Sequence, residues 1–275
     1  MLKNIKYSKY TKYIAMIIVC VMLSAAIPAD DQENKSVDIP VIMYHSITAV
    51  RSTPWIISPA ALEEDLRYLS QNGYTAVFAE DLIEYVYGEG MLPKKPVLLT
   101  FDDGMQNNLD ILPLLEKYDM RIVLSIIGET SSEDPEHSAH LSWDGIRRML
   151  DSGRVEIANH TWGLHKNDNG RCGCMRKKGE DLDEYRKLLA TDVSRMQREI
   201  FENLGVIPMT FTYPFGAKCD EALDILKELG FLVTLSCHGG ASAISPGSYD
   251  SLFDLKRNNR EPGKSARYFI EEYMR

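Results

Sequence analysis

Short unbroken apolar runs alternate along this chain with longer stretches in which apolar residues recur every three or four positions. The runs at Pro40–Tyr44, Thr75–Phe78, Val97–Phe101, Arg121–Ile127, Arg154–Ala158, Met209–Tyr213 and Leu232–Cys237 predict strands. They lack polar alternation, as expected of strands covered on both faces. Between them, helical spacing predicts helices from Ser58-Pro59 to the Gly73 stop, then over 81–87, 107–118, 143–151, 181–203, 219–229 and 265–274, with a short strand near 252–255. Strand and helix in turn imply parallel strands joined by crossover helices. Seven or eight such units predict an α/β fold in the form of a closed or nearly closed barrel.

The first 29 residues stand apart. Lys3, Lys6, Lys9 and Lys12 precede an apolar run from Tyr13 to Ile27, and acidic residues begin only at Asp30. This predicts an export signal cut after Ser24-Ala25-Ala26 or Ala29, or an uncleaved amino-terminal anchor over 13–27. The expected location is extracellular or at the cell envelope, with membrane contact through this segment alone. Residues 30–39 are polar and predict a linker, and 40–275 predict one domain.

Removing residues 1–29 takes four of the 31 basic side chains, leaving 27 against 40 acidic ones, a net charge of −13. That balance argues against nucleic acid as a partner. Four cysteines remain, Cys172, Cys174, Cys219 and Cys237. Export permits disulfides and an even count permits two bridges. Cys172-Gly173-Cys174 is too closely spaced for a zinc knuckle, and Lys166, Arg171, Arg176, Lys177 and Lys178 around it predict a solvated loop.

Candidate chemistry collects at strand ends. In a parallel barrel the carboxyl ends of the strands share one face, so His45, Asp102, Asp103, His160, His165, Phe215 and His238 are expected to approach one another. Asp102 and Asp103 leave one strand in different directions. Two histidines with a carboxylate suit Zn²⁺ and similar divalent ions, with a position left open for water or substrate.

In this order and at these separations, Thr100-Phe101-Asp102-Asp103-Gly104, His160-Thr161-Trp162-Gly163-Leu164-His165 and Tyr213-Pro214-Phe215-Gly216 resemble the polysaccharide deacetylases of carbohydrate esterase family 4, the NodB-like deacetylases. The resemblance covers about residues 40–260, with echoes at Met43-Tyr44-His45-Ser46-Ile47, Leu141-Ser142-Trp143 and Leu255-Lys256-Arg257. It implies a distorted (β/α)7-type barrel. It also implies metal-dependent hydrolysis of N-acetyl groups on an amino-sugar polysaccharide of the bacterial envelope: peptidoglycan, poly-N-acetylglucosamine or a chitin-like polymer. O-acetyl esterase activity and a catalytically inactive glycan-binding module are the alternatives.

Carried over residue by residue, the resemblance makes Asp103, His160 and His165 the metal ligands, most simply of zinc. Asp102 becomes the general base, and the Phe215 backbone N–H the oxyanion donor. Trp162, Tyr213 and His45 are the substrate-binding candidates. The chain departs from the commonest pattern in three places: the histidines are five residues apart rather than four, Thr212 stands where many members carry an arginine that orients the base, and Leu235-Ser236-Cys237-His238 has one residue too many for the usual Leu-x-His acid. His238 is therefore only a candidate acid, and what positions Asp102 is left open.

Overall fold

The computed structural model describes residues 36–50, 53–132 and 138–273. The segment 1–29 expected to be a signal or anchor lies outside them. Among the described residues, no helix is long and apolar enough to cross a membrane.

Eight strands form the main sheet: β1 (Val41–Tyr44), β2 (Thr75–Val77), β3 (Pro96–Phe101), β4 (Ile122–Ile126), β5 (Val155–Asn159), β6 (Thr210–Thr212), β7 (Val233–Leu235) and β8 (Asn258–Asn259). Every pairing is parallel, in the order β7-β6-β5-β4-β3-β1-β8, with β2 against the first half of β3. The segment before β8 then closes the gap. Leu255 bridges Leu235, its N–H donates to Thr234 O at 2.8 Å, and the Arg257 N–H donates to His238 O at 2.9 Å. On its other side the Arg260 N–H donates to Met43 O at 2.9 Å. One stretch of chain thus bonds to both β7 and β1, and the sheet curls into the expected distorted barrel.

Alternate strand residues enter two apolar clusters, which explains the missing polar alternation. Ile42, Leu99, Leu124 and Ile157 pack with side chains of the surrounding helices α1 (Pro59–Gln71), α5 (Trp143–Asp151) and α6 (Leu182–Leu204). Val41, Leu98, Val123 and Ala158 pack with Val233, Leu235 and the helix α2 (Ala79–Val86). The expected start at Ser58 forms, its Oγ accepting the Ala61 N–H; at α6, Asp181 accepts the N–H groups of Asp183 and Glu184, and the helix ends at Gly205 with φ 74°.

Several elements differ from expectation. The helix expected over 107–118 is a 3-10 turn, Gln106–Ile111, followed by α3 (Leu112–Lys117). Pro113 lacks an N–H and its ring would meet the carbonyl four residues back, so one continuous helix cannot run through it. The late strand is Asn258–Asn259, because Tyr249–Leu252 is a 3-10 turn and Leu255 supplies a single bridge. The expected linker ends early, since Val37–Ile39 pair antiparallel with Ser242–Ile244. The four cysteines among the described residues are free thiols. The basic loop is not simply solvated: Arg171 is buried, paired with Glu180, donating to Met175 O and lying over the Tyr185 ring.

Candidate active site

The loop after β3 carries Asp102 and Asp103 onto a cavity of about 910 Å³ at the carboxyl end of the barrel. Asp102 is 2% exposed. Its two oxygens accept a forked pair from Arg257, each at 2.7 Å, while the same guanidinium donates to Ser236 O at 2.6 Å and Thr100 Oγ1 at 3.2 Å. Burial alone would raise the carboxyl pKa, but the guanidinium outweighs it and holds Asp102 far below the usual carboxylate range. Arg257 answers the question left by Thr212, whose own hydroxyl bonds Ser125 at 2.8 Å.

Asp103, His160 and His165 bring one ligand atom each to within 4.8 Å of one another. Asp103 Oδ1 lies 3.5 Å from His160 Nε2 and 3.3 Å from His165 Nε2, and it is buried with no hydrogen-bond partner. The Nδ1–H of His160 donates to Thr212 O at 2.8 Å, which turns Nε2 toward Asp103. Burial and the neighbouring His160 push the His165 pKa down to about 4, so its ring is neutral at pH 7. An orphaned carboxylate oxygen between two imidazole nitrogens, one of them held in the right tautomer, is a donor set that fits a divalent cation.

Backbone strain concentrates here. Asp103, Thr161 and Phe215 all adopt left-handed φ, at 69°, 72° and 59°. For a β-branched threonine this is a costly conformation. It is sustained by a clamp: the Thr161 N–H donates to Asn159 Oδ1 at 2.9 Å, and Asp192 on α6 accepts the N–H groups of Trp162 and Gly163 at 2.8 and 2.9 Å. From the other side, α4 (Gly128–Ser131) donates from Gly128 to Thr161 O and from Glu129 to Trp162 O. The loop between the two histidines is thus held at both faces.

Of the residues singled out in the sequence, Asp102, Asp103, His160, His165, His45 and Phe215 line the cavity. The Phe215 ring stands 4.3 Å from that of His165, and the hydrogen bonds of its turn come from Gly216 and Ala217. His45 is half-buried with Nδ1 unpartnered, and burial holds its pKa below the ordinary histidine value. Three residues lie elsewhere. His238 is exposed beyond β7, outside the cavity lining, because the extra residue carries it past the rim. Tyr213 is buried against Phe211 in the cluster beneath α6, and Trp162 packs under the Arg195 guanidinium, 3.2 Å from its ring centre. Arg257 and Asp192 were not identified as functional from sequence; the only signal was the Leu255-Lys256-Arg257 echo.

A parallel barrel that presents an Asp–His–His cluster beside a buried, arginine-held aspartate defines a class of metal-capable α/β sites. The chain belongs to the polysaccharide deacetylase family, whose model matches residues 89–234. It is 26% identical over 278 aligned positions to poly-beta-1,6-N-acetyl-D-glucosamine N-deacetylase of Escherichia coli K12, which covers 85% of this chain and 41% of that protein. The chain therefore spans less than half the length of that relative. Among solved structures it resembles IcaB from Ammonifex degensii, with 28% identity, a TM-score of 0.69 and coverage of 82% of this chain and 92% of that one. A de-N-acetylase from Aggregatibacter actinomycetemcomitans matches with 25% identity, a TM-score of 0.73 and coverage of 86% and 100%.

Proposed function

We propose that the chain is a metal-dependent N-deacetylase of an acetylated amino-sugar polysaccharide, of the poly-N-acetylglucosamine, peptidoglycan or chitin-like kind. The observation that carries this is the pairing of an ionised, buried Asp102 with the orphaned Asp103–His160–His165 donor set on one cavity. Zinc or a similar divalent cation held by those three residues would supply Lewis-acid polarisation of the acyl oxygen and acidify water beside it.

The chain's own residues account for the remaining steps. Asp102, kept ionised and aimed by Arg257, takes the proton of the attacking water as its oxygen bonds the acetamide carbon. The Phe215 N–H offers a hydrogen bond to the acyl oxygen as charge develops there. When the carbon–nitrogen bond breaks, the leaving nitrogen needs a proton, and His45 lines the cavity where His238 does not. His45 is accordingly the acid, entering this step in its protonated form. The products are acetate and a free amine on the sugar. The basic and apolar start of the chain supports action outside the cytoplasm, on the envelope or secreted polymer.

The test is acetate release from N-acetylglucosamine oligomers, before and after chelation and with zinc restored. Asp102→Asn should keep metal stoichiometry while turnover falls roughly 10²-fold or more. A metal-loaded wild type that releases no acetate from β-1,6- or β-1,4-linked oligomers would overturn the proposal.

A further inference from the structure

The cavity is far larger than an acetyl group needs. About 910 Å³ lies near the upper end of what small-ligand sites enclose. The Asp102, Asp103, His160 and His165 cluster takes up only part of its wall. The rest runs between two segments, the loop after β1 with Thr53 and Trp55, and the 3-10 turn after the Asp-Asp-Gly motif with Gln106 and Asp110. These walls are tied together. The Asn107 amide donates to Ser46 Oγ at 2.8 Å and accepts the Ile47 N–H at 3.1 Å, and the Asn108 amide donates to His45 O at 2.8 Å.

Trp55 is the unusual member. Its side chain is 51% exposed although it lines a cavity, and its ring meets that of His45 at 4.9 Å with a 59° tilt. The segment beneath it is braced: Trp55 O accepts the Ser46 N–H at 3.3 Å, Ser46 and Ile47 pair in parallel with Ile56 and Ile57, and Pro54 O accepts from the Asn259 amide at 2.9 Å. A large apolar face is thus fixed in the open, with an amide and a carboxylate on the other wall. A pyranose ring matches this composition, with an apolar C–H face to lie on an indole and hydroxyls at its rim to bond polar groups. The contact with His45 puts the platform one ring away from the proton-donating position. A sugar stacked there is the neighbour of the one that reacts.

We infer that Trp55 is the platform of a subsite for the sugar residue adjacent to the one being deacetylated, so that the enzyme recognises a chain and not a single sugar. This rests on the deacetylase reading. The test compares wild type, Trp55→Ala and Trp55→Phe, all zinc-loaded, on N-acetylglucosamine oligomers of one to five residues and on p-nitrophenyl acetate. Wild-type kcat/KM should climb once a second sugar is present. Trp55→Ala should remove most of that climb, roughly tenfold and in KM, and Trp55→Phe should restore much of it. An equal fall on every oligomer length with the small ester spared, since its leaving group needs no acid, would mean the indole acts only through His45; an equal fall on the ester as well would mean general damage to the site, and no fall on any oligomer would mean the indole binds nothing; each overturns the inference. Isothermal titration calorimetry with deacetylated oligomers, which cannot turn over, tests the platform even if no acetate is released. Length-dependent binding lost in Trp55→Ala supports the subsite whatever becomes of the reaction, and binding equal to wild type in Trp55→Ala refutes it.

Discussion

Arg257 reaches Asp102 across 155 positions of sequence, and that one pair decides what the aspartate can do. Without the guanidinium, burial of a carboxylate 2% exposed would be opposed only by the weaker influence of His160 and His45, and its pKa would rise. Arg257→Gln should therefore lower stability by about 3–5 kcal/mol, the usual result of stranding a buried charge. It should also move the acidic limb of the kcat/KM profile to higher pH. Arg257→Lys, which keeps the charge without the fork, should fall between the two. Urea unfolding and a pH–rate profile measure both effects, and a wild-type profile in Arg257→Gln would remove the arginine from its positioning role. The sequence marks Leu255-Lys256-Arg257 as a family echo but not its partner, since the contact exists only once β8 has closed the barrel. That Asp103, His160 and His165 would meet was legible because the Asp-Asp-Gly and His-x4-His motifs each follow a strong strand signal; Tyr213 lies buried away from the cavity because a motif position does not say which way a side chain turns.

At the scale of elements, the histidine loop depends on a helix that supplies no cavity-lining residue. Asp192 holds the Trp162 and Gly163 N–H groups from α6, and Trp162 lies against Gly128, where an added Cβ would stand 2.5 Å from Trp162 Cδ1 and 2.7 Å from Met196 Sδ. Nothing in the helical pattern of 182–204 separates Asp192 from the solvated acids around it, so this anchor was not legible. On the proposed metal reading, Asp192→Ala should weaken divalent-cation binding, with zinc as the probe, roughly 10- to 100-fold, the range seen when outer partners of metal ligands are lost, as read by competition with a chromophoric chelator. Unchanged affinity would show that the strained Thr161 turn holds without it. Gly128→Ala should also weaken binding, by displacing Trp162 and the loop with it. By contrast, the strand-and-helix order and the helix start at Ser58-Pro59 were legible, because they rest on local signals that packing did not override.

Across the whole molecule, the barrel wall holds a half-buried carboxylate that serves no proposed step. Glu156 on β5 accepts the Glu80 N–H at 3.2 Å at the start of α2 and the Thr210 hydroxyl at 3.3 Å. Burial, with the charge of Glu80 adding to it, outweighs these bonds and pushes the pKa up to about 7 from an ordinary 4.5. Between those values the folded protein keeps a proton that the unfolded chain has lost, so this group's contribution to stability is full below about pH 4.5, declines as pH rises, and is gone above about pH 7. The decline is on the order of 3 kcal/mol at most. His165 works against it in nearly the same window: its lowered pKa means the unfolded chain takes up a proton first, and stability falls as pH drops from 6.5 toward 4. Wild type alone therefore mixes two opposite slopes. The difference between wild type and Glu156→Gln, followed by urea unfolding from pH 4.5 to 8, cancels the histidine term. It should show wild type losing ground steadily to the variant as pH rises, then levelling off near neutrality, and parallel curves would mean that Glu156 titrates no differently in the folded and unfolded chain.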